Sequence, residues 1–311
     1  MNTKGGDAML FDIELARYDR MPVSCDRFVI NDPEIPDPYW IRENERRISQ
    51  MIVAFQDHSH EEIEIITVLR GTLFGEVDGE PVIITPGDIM IANPYELHNA
   101  SIIRHEITDY IHVTFDIGYF AGCCGTAVSD TIRRLCSGEL RFPSRLDAVH
   151  PAAEKINGLA NGILEAFDLA VQTPGASECQ LSMQLVSLLG ILIGEVKLSE
   201  GGTSHARSVH FTQRCHRYIG LNFRQNINTE LAAAELGYNK SYFCTRFKQN
   251  FGMTFMNYLS ERRIQYAMTW FRDKDVPLRE IAEACGFQDY SYFARVFRKH
   301  TGMTPREYFL K

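Results

Sequence analysis

Residues 281–305, IAEACGFQDYSYFARVFRKHTGMTP, decide how the chain is read. The stretch opens with a short helical pattern of apolar and small residues, turns at Gly286, and enters a second helix expected over 290–300. That helix sets Tyr292, Phe293 and Phe297 on one side and Arg295, Arg298 and Lys299 on the other. A helix, a glycine turn and a basic amphipathic helix make a helix-turn-helix, whose second helix fits a major groove. A single match of this kind is weak evidence, but the pattern occurs twice.

Ser241-Tyr242-Phe243, Phe247-Lys248 and Gly252-Met253-Thr254 stand 50 residues before Ser291-Tyr292-Phe293, Phe297-Arg298 and Gly302-Met303-Thr304. The turn glycines Gly237 and Gly286 are offset by 49. Regular repetition of this kind is an architectural feature. The first copy predicts a helix over 228–237, capped by Asn228 or Thr229, and another over 240–250, after a helix over 209–222. Phe243, Phe247, Phe293 and Phe297 fall on one stripe in each copy and read as core rather than as base-stacking rings. Between the copies, residues 256–272 form one periodic helix through Tyr258, Leu259, Ile264, Ala267, Met268 and Phe271. At ~1.5 Å per residue it spans ~25 Å, of the order of the ~34 Å between successive major-groove segments on one face of B-DNA.

The net charge of −8 hides a division. Residues 1–204 hold 15 Lys+Arg against 31 Asp+Glu, and residues 205–311 hold 17 against 9, so −16 gives way to +8. An acidic domain joined to a basic nucleic-acid module has this signature. The reversal coincides with Ser199-Glu200-Gly201-Gly202-Thr203-Ser204, a small, polar, linker-like run. The expected domains are 1–198, a linker over 199–207, and 208–311. A chain of 311 residues, 45% apolar and 23% charged, supports two soluble domains. The N-terminal MNTKGGDAMLFDIELARYD lacks an apolar signal core, and no apolar run approaches ~20 residues. The expectation is a cytoplasmic protein with no membrane partner. The eight cysteines are scattered without a CxxC pair, which reads as reduced thiols.

Residues 1–50 read as an irregular arm with some extended structure, any helix broken at Pro33, Pro36 and Pro38, with Trp40 and Ile41 beginning to pack. From 48 to about 120, short runs such as IEIITVLRG, TLFGEVDG, PVIITPGD and YIHVTFDI are rich in Ile and Val and bounded by Gly, Pro or Asp. They predict strands, with a hairpin at Asp78-Gly79, in a barrel or jelly roll. Residues 152–171 and 178–196 carry apolar residues at helical spacing, with a break at Thr173-Pro174-Gly175. Leu181, Leu185, Leu188, Leu189, Leu192 and Ile193 are too apolar for a solvated helix. They serve the domain core, a dimer face, or both.

Within the strand region lies His58-Ser59-His60-Glu61-Glu62-Ile63-Glu64. On a strand His58, His60 and Glu64 share a face, and His98 arrives from a later strand. Two imidazoles and a carboxylate on one wall suit a metal or a polar ligand. The pattern HxHxxxE with Gly71, then Gly87-Asp88, Pro94 and His98, resembles the cupin family, in whose enzymes the matching residues hold a divalent metal. Here His58, His60, Glu64 and His98 are expected to line a small-molecule effector pocket with no resident cofactor; a metal on the same four is the alternative. Glu62, Glu64, Arg70 and Arg104 leave the effector's charge open.

The sequences LAAAELGYNKSYFCTRFKQNFGMTF, YLSERRIQYAM and IAEACGFQDYSYFARVFRKHTGMTPREYF resemble the DNA-binding domain of the AraC/XylS family over about 209–309 without a gap. The resemblance implies a sequence-specific transcription regulator of α+β two-domain class. Its N-terminal half would be a cupin-like β-barrel with a helical extension, and its C-terminal half all-α, with two helix-turn-helix motifs joined by a linking helix. The family's base-reading positions fall on Ser241, Cys244 and Thr245 in the first copy and on Tyr290, Ser291 and Arg295 in the second. Arg295 suits bidentate reading of guanine, whereas Cys244 departs from the polar residues often found there. Lys240, Arg246, Lys248, Arg298 and Lys299 are assigned to phosphates. The implied partners are double-stranded DNA, a small-molecule effector, a second copy in a homodimer, and RNA polymerase if the protein activates. The rival reading, a metal-dependent cupin enzyme, leaves the repeat and the basic domain unexplained, and no catalytic residue is assigned.

Overall fold

The computed structural model describes residues 23–30, 51–103, 106–172, 175–270 and 276–309. Pro33, Pro36, Pro38, Trp40, Ile41, Arg104, Thr173, Pro174 and Phe271 lie outside them. The chain divides into two compact units between His210 and Phe211.

The first unit contains strands β1 (Val23–Ile30), β2 (Met51–His58), β3 (Ile63–Arg70), β4 (Leu73–Val77), β5 (Glu80–Ile84), β6 (Ile89–Ala92), β7 (His98–Ile103), β8 (Thr108–Phe115), β9 (Leu140–Arg141), β10 (Arg145–Leu146) and β11 (Ser199–Glu200). They form a five-stranded sheet in the order β1-β8-β3-β6-β10 and a four-stranded sheet in the order β2-β7-β4-β5. The barrel expected over 48–120 is therefore two antiparallel sheets rather than a closed ring. It also recruits β1 from the segment expected to be an irregular arm, paired with β8 from Val23↔Phe115 to Ile30↔Thr108. The Asp78-Gly79 hairpin joins β4 to β5 with both residues at positive φ, 52° and 83°, as a type I′ turn requires.

Strand β3 is buried on both faces, which is why it reads as a continuous apolar run. Ile63 and Ile65 on one face, with Ile111, Val113 and Phe115 of β8, enter a core shared with helices α2 (Ala153–Gln172) and α3 (Ala176–Glu195). The alternate residues, Glu64 on β3 and His112 on β8, belong to the opposite face. Helix α1 (Thr126–Cys136) adds Ile132 and Leu135 to the same core. Among the described residues α3 alone is long and apolar enough to cross a membrane, with a mean hydropathy of 1.4, which the sequence reading did not anticipate. Its Leu181, Leu185, Leu188, Leu189 and Leu192 are instead buried in this core.

The Gly87-Asp88 pair is a structural clasp. Asp88 Oδ2 accepts from Thr85 N (3.0 Å) and Thr85 Oγ1 (2.9 Å), and Oδ1 accepts from Ala148 N (2.9 Å). Burial alone would raise this carboxyl, but the bonds from Thr85 and Ala148 hold it below its ordinary value. A depressed native pKa means stability that is complete above the ordinary carboxylate range and is lost as pH falls through the native value. Asp88→Asn is expected to cost about 1–3 kcal/mol in urea melts at pH 7. The gap from the parent should close in acid, below pH ~4.

The segment 199–207, expected as a linker, is ordered. Strand β11 pairs with β9, Ser199↔Arg141, and helix α4 (Gly202–Asn222) begins seven residues earlier than the helix expected from 209. Gly201 lies so close to the Gly138 carbonyl that a Cβ would collide with it. The glycines here serve close packing, not flexibility.

The second unit holds α5 (Thr229–Glu235), α6 (Lys240–Phe251), α7 (Phe255–Trp270), α8 (Leu278–Ala284), α9 (Tyr290–Thr301) and α10 (Pro305–Phe309). Asn228 is the residue that caps α5, accepting from Leu231 N. The repeat is exact in its caps. Asn239 and Asp289 accept from Tyr242 N and Tyr292 N, and Gly252 and Gly302 end α6 and α9 at φ 69° and 72°. Each copy has a core of its own. Phe243 and Phe247 pack with Phe211, Phe251, Phe255 and Leu259; Phe293 and Phe297 pack with Ile264, Ala267, Ile281 and Phe287. Helix α7 thus places one end in each core. Tyr292, grouped by sequence with the core aromatics, is 40% exposed and stands off that stripe.

Candidate functional site

In the first unit, five imidazole and carboxylate side chains meet between strands of the two sheets. His58 ends β2 and His98 begins β7, in the four-stranded sheet; Glu64 and His112 come from β3 and β8, in the five-stranded sheet; His60 stands on the turn before β3. Glu64 Oε2 is the hub. It lies 3.0 Å from His60 Nε2, 3.1 Å from His98 Nε2, 3.2 Å from His112 Nε2 and 3.9 Å from His58 Nε2. The ligand atoms of His58, His60, Glu64 and His98 all lie within 4.8 Å of one another, but His58, His60 and Glu64 do not share a face of one strand as expected, because β2 ends at His58 and β3 begins only at Ile63.

His112 was missed. Its only sequence signal is a histidine at the inward parity of YIHVTFDI, and its partner Glu64 sits on the neighbouring strand, where local pattern cannot find it. Its Nε2 also lies 2.7 Å from Thr114 Oγ1. Arg70 is exposed at the end of β3, away from the buried cluster.

Three of the imidazoles are held from behind. His58 Nδ1 faces the carbonyl of Gln56 (2.9 Å), His60 Nδ1 that of Glu62 (3.1 Å), and His98 Nδ1 that of Glu96 (2.9 Å). A carbonyl only accepts, so each Nδ1 carries a proton and each ring turns its Nε2 to the hub. Backbone anchoring of Nδ1 is how metal-ligating histidines are oriented. Glu64 Oε1 and His112 Nδ1 are buried with no hydrogen-bond partner among the described residues. Burial, with His98 alongside, pulls His58 down to about 3, so this ring is neutral at pH 7. Burial also opposes charge on His60, but the bond to Glu64 outweighs it and raises that ring. Burial would raise Glu64 too, yet the charges of His112 and His98 hold it well below its ordinary value. Imidazole Nε2 atoms and a carboxylate converging at one point suit a divalent cation.

In the second unit, α6 and α9 bury one face and expose the other. Ser241, Cys244 and Thr245 are exposed on α6, with Lys240 and Lys248 exposed and Arg246 half-buried. Tyr290, Ser291, Arg295, Arg298 and Lys299 are exposed on α9. The Arg295 guanidinium sits over the Tyr292 ring, 5.4 Å from its centroid, which limits the side chain's freedom before any contact. Lys240 is already paired with Glu230 of α5, a competitor for a phosphate that sequence spacing did not reveal.

A helix-turn-helix domain family matches residues 232–311, and a cupin domain family matches residues 53–113. The HTH-type transcriptional activator RhaS of Salmonella agona (strain SL483) is 24% identical over 262 residues, covering 82% of this chain and 87% of RhaS. The chain is thus similar to transcription regulators of the AraC/XylS family. ToxT of Vibrio cholerae O395, solved with (E)-4-(8-methylnaphthalen-1-yl)but-3-enoic acid bound, shares the fold at TM-score 0.53 and 12% identity, over 93% of this chain and 98% of ToxT. A further ToxT structure from Vibrio cholerae gives TM-score 0.52 at 11% identity, over 93% and 98%. The two domains and this likeness make the protein a DNA-binding regulator with a cupin-like effector domain rather than a cupin enzyme.

Proposed function

We propose that this regulator takes its signal at His58, His60, Glu64 and His98, which hold a divalent transition-metal cation, and returns it as a change in operator affinity. The observation that carries the reading is the set of three Nδ1-to-carbonyl bonds, which aim three Nε2 atoms at Glu64. Imidazole and carboxylate donors suit Zn²⁺, Co²⁺, Ni²⁺ or Fe²⁺. A bound cation supplies a Lewis-acidic anchor for an oxygen-bearing small-molecule effector entering the same pocket. The test is a Co²⁺ titration of the full chain followed by footprinting on DNA upstream of its own gene. We expect one Co²⁺ per chain, with d–d absorption, no thiolate charge transfer, and altered protection. Absence of stoichiometric Co²⁺ binding, or an identical footprint with and without it, overturns the reading.

On the DNA side, α6 and α9 enter successive major-groove segments. Ser241, Cys244 and Thr245 face one set of bases, and Tyr290, Ser291 and Arg295 the other. Lys240, Arg246, Lys248, Arg298 and Lys299 face phosphates. Arg295→Ala is expected to relax preference at one base pair by about 1–3 kcal/mol, seen in competition binding to operators varied one position at a time; equal loss on every sequence would refute the assignment. Arg298→Ala should weaken all sequences alike and flatten the log–log salt slope by about one unit. The working form in this reading is a homodimer in the cytoplasm. Like RhaS, a named activator, it meets RNA polymerase when it activates.

A further inference from the structure

The His98 ring leads out of the cluster toward helix α4. The carbonyl that anchors His98 Nδ1 belongs to Glu96, and the Glu96 side chain is fully buried on its way elsewhere. Its Oε2 accepts from Asn93 N (2.9 Å) and Asn93 Nδ2 (3.0 Å). Asn93 in turn bonds both backbone groups of Phe142, through Oδ1 (2.8 Å) and Nδ2 (3.0 Å). The other oxygen, Oε1, lies 3.1 Å from an Arg141 guanidinium nitrogen and 3.7 Å from His205 Nε2. His205 stands near the start of α4, and its Nδ1 lies 3.0 Å from Asp78 Oδ2 at the β4–β5 turn. Arg141 closes the ring, 3.7 Å from the same Asp78 oxygen. Around His205, the charged groups are Asp78, Glu96 and Arg141, and its ring presses on Gly138 and Gly201.

Asp78, Glu96 and His205 have the donor types of a second cation site. The Arg141 guanidinium already supplies the positive charge there, so the arrangement reads as an ion-pair latch. Glu96 therefore touches the sensing cluster through its backbone and α4 through its carboxylate. Nothing lies between these two contacts except one residue's own Cα and side chain. Helix α4 continues to Asn222, and its Phe211, Cys215 and Ile219 belong to the core behind α6.

We infer that Glu96 is the positioning residue that couples the sensing cluster to α4, with His205, Arg141 and Asp78 as the latch it grips. The inference rests on the reading of the cluster as the sensor. A ligand that draws His98 Nε2 fixes the ring, the ring fixes the Glu96 carbonyl, and the carbonyl sets where the carboxylate can meet Arg141 and His205. Occupancy of the cluster is then felt as a tighter or looser hold on the start of α4.

The test uses the full chain, operator DNA and Co²⁺ as the probe. Operator Kd is measured with and without Co²⁺ for the parent, His205→Gln, Asp78→Asn and Glu96→Gln, alongside Co²⁺ affinity. In the parent the two Kd values should differ by a factor in the usual range for coupled sites, ~5–150. His205→Gln and Glu96→Gln should bring the ratio to within about twofold of one, while Co²⁺ affinity without DNA stays near the parent's. Linkage requires operator DNA to shift Co²⁺ affinity by the same factor in the parent, and to shift it little in these variants. A merely structural role predicts a lower Tm with the ratio intact, which would overturn the inference. Should Glu96→Gln fail to fold, His205→Gln and Asp78→Asn decide alone, since neither side chain is as deeply buried as that of Glu96. A parent ratio of one sinks the sensor reading and this inference together; a parent ratio that survives in His205→Gln sinks only this one. A second Co²⁺ per chain that disappears in His205→Gln would replace the latch with a metal site.

Discussion

Glu64→Gln should lower Co²⁺ affinity on the order of 100-fold or more and abolish the ligand-dependent change in the footprint, with the fold kept. The lower bound follows from what loss of a mere supporting partner costs a metal site, ~10–100-fold. Glu64 is no supporting partner. Among the described residues its Oε2 is the carboxylate oxygen that approaches four imidazoles, whereas Glu62 reaches His60 from behind. Gln has the same shape, and its amide offers both an oxygen acceptor and N–H donors. The packing of the unliganded cluster is thereby kept while the charge that attracts a cation is gone. Equilibrium dialysis with Co²⁺ and far-UV circular dichroism on the same sample separate lost binding from lost structure. Unchanged Co²⁺ affinity in a folded Glu64→Gln would remove the cation from the mechanism.

Phe247→Ala is expected to cost about 3–5 kcal/mol within the core behind α6. The ring is fully buried. It stacks on Phe251 with centroids 4.0 Å apart and meets Phe243 at 5.6 Å, Phe255 at 5.5 Å and Tyr258 at 5.8 Å. All four neighbours are aromatic and fixed on two helices, α6 and α7, so the cavity closes poorly. Protection should vanish at the operator half read by α6 and persist, more weakly, at the half read by α9, because Phe293 and Phe297 pack in the other core. Urea melts and footprinting on one preparation check both parts. Simultaneous loss of both halves would show that the two cores melt as one.

The DNA-binding unit was legible because its signals are local and written twice. Caps, turn glycines and the phenylalanine stripe all lie within a few residues of the structure they specify, and the offset of 50 made each copy a control for the other. In the sensor unit, four of the five hub residues were found because three of them sit within seven positions, from the end of β2 through the turn into β3. His112 was not, since its meaning depends on β8 lying beside β3, a pairing of segments over 40 residues apart. Strand β1 was read only as some extended structure in an irregular arm for the same reason, as its partner β8 is far along the chain. The Gly201-Gly202 pair misled in a different way. Glycine marks both flexible chain and close backbone approach, and only the neighbouring Gly138 carbonyl tells which.

Two cores joined by one shared helix also bear on how such a regulator changes over generations. A substitution on the exposed face of α9 leaves the packing behind α6 untouched, and the reverse holds. Preference for one half of the operator can drift while the other half keeps the protein on its promoter. The spacing between the halves has no such freedom. It is carried by α7, whose Phe255 and Leu259 are committed to one core and whose Ile264 and Ala267 are committed to the other. Words in the operator can be rewritten singly; the interval between them is inherited whole.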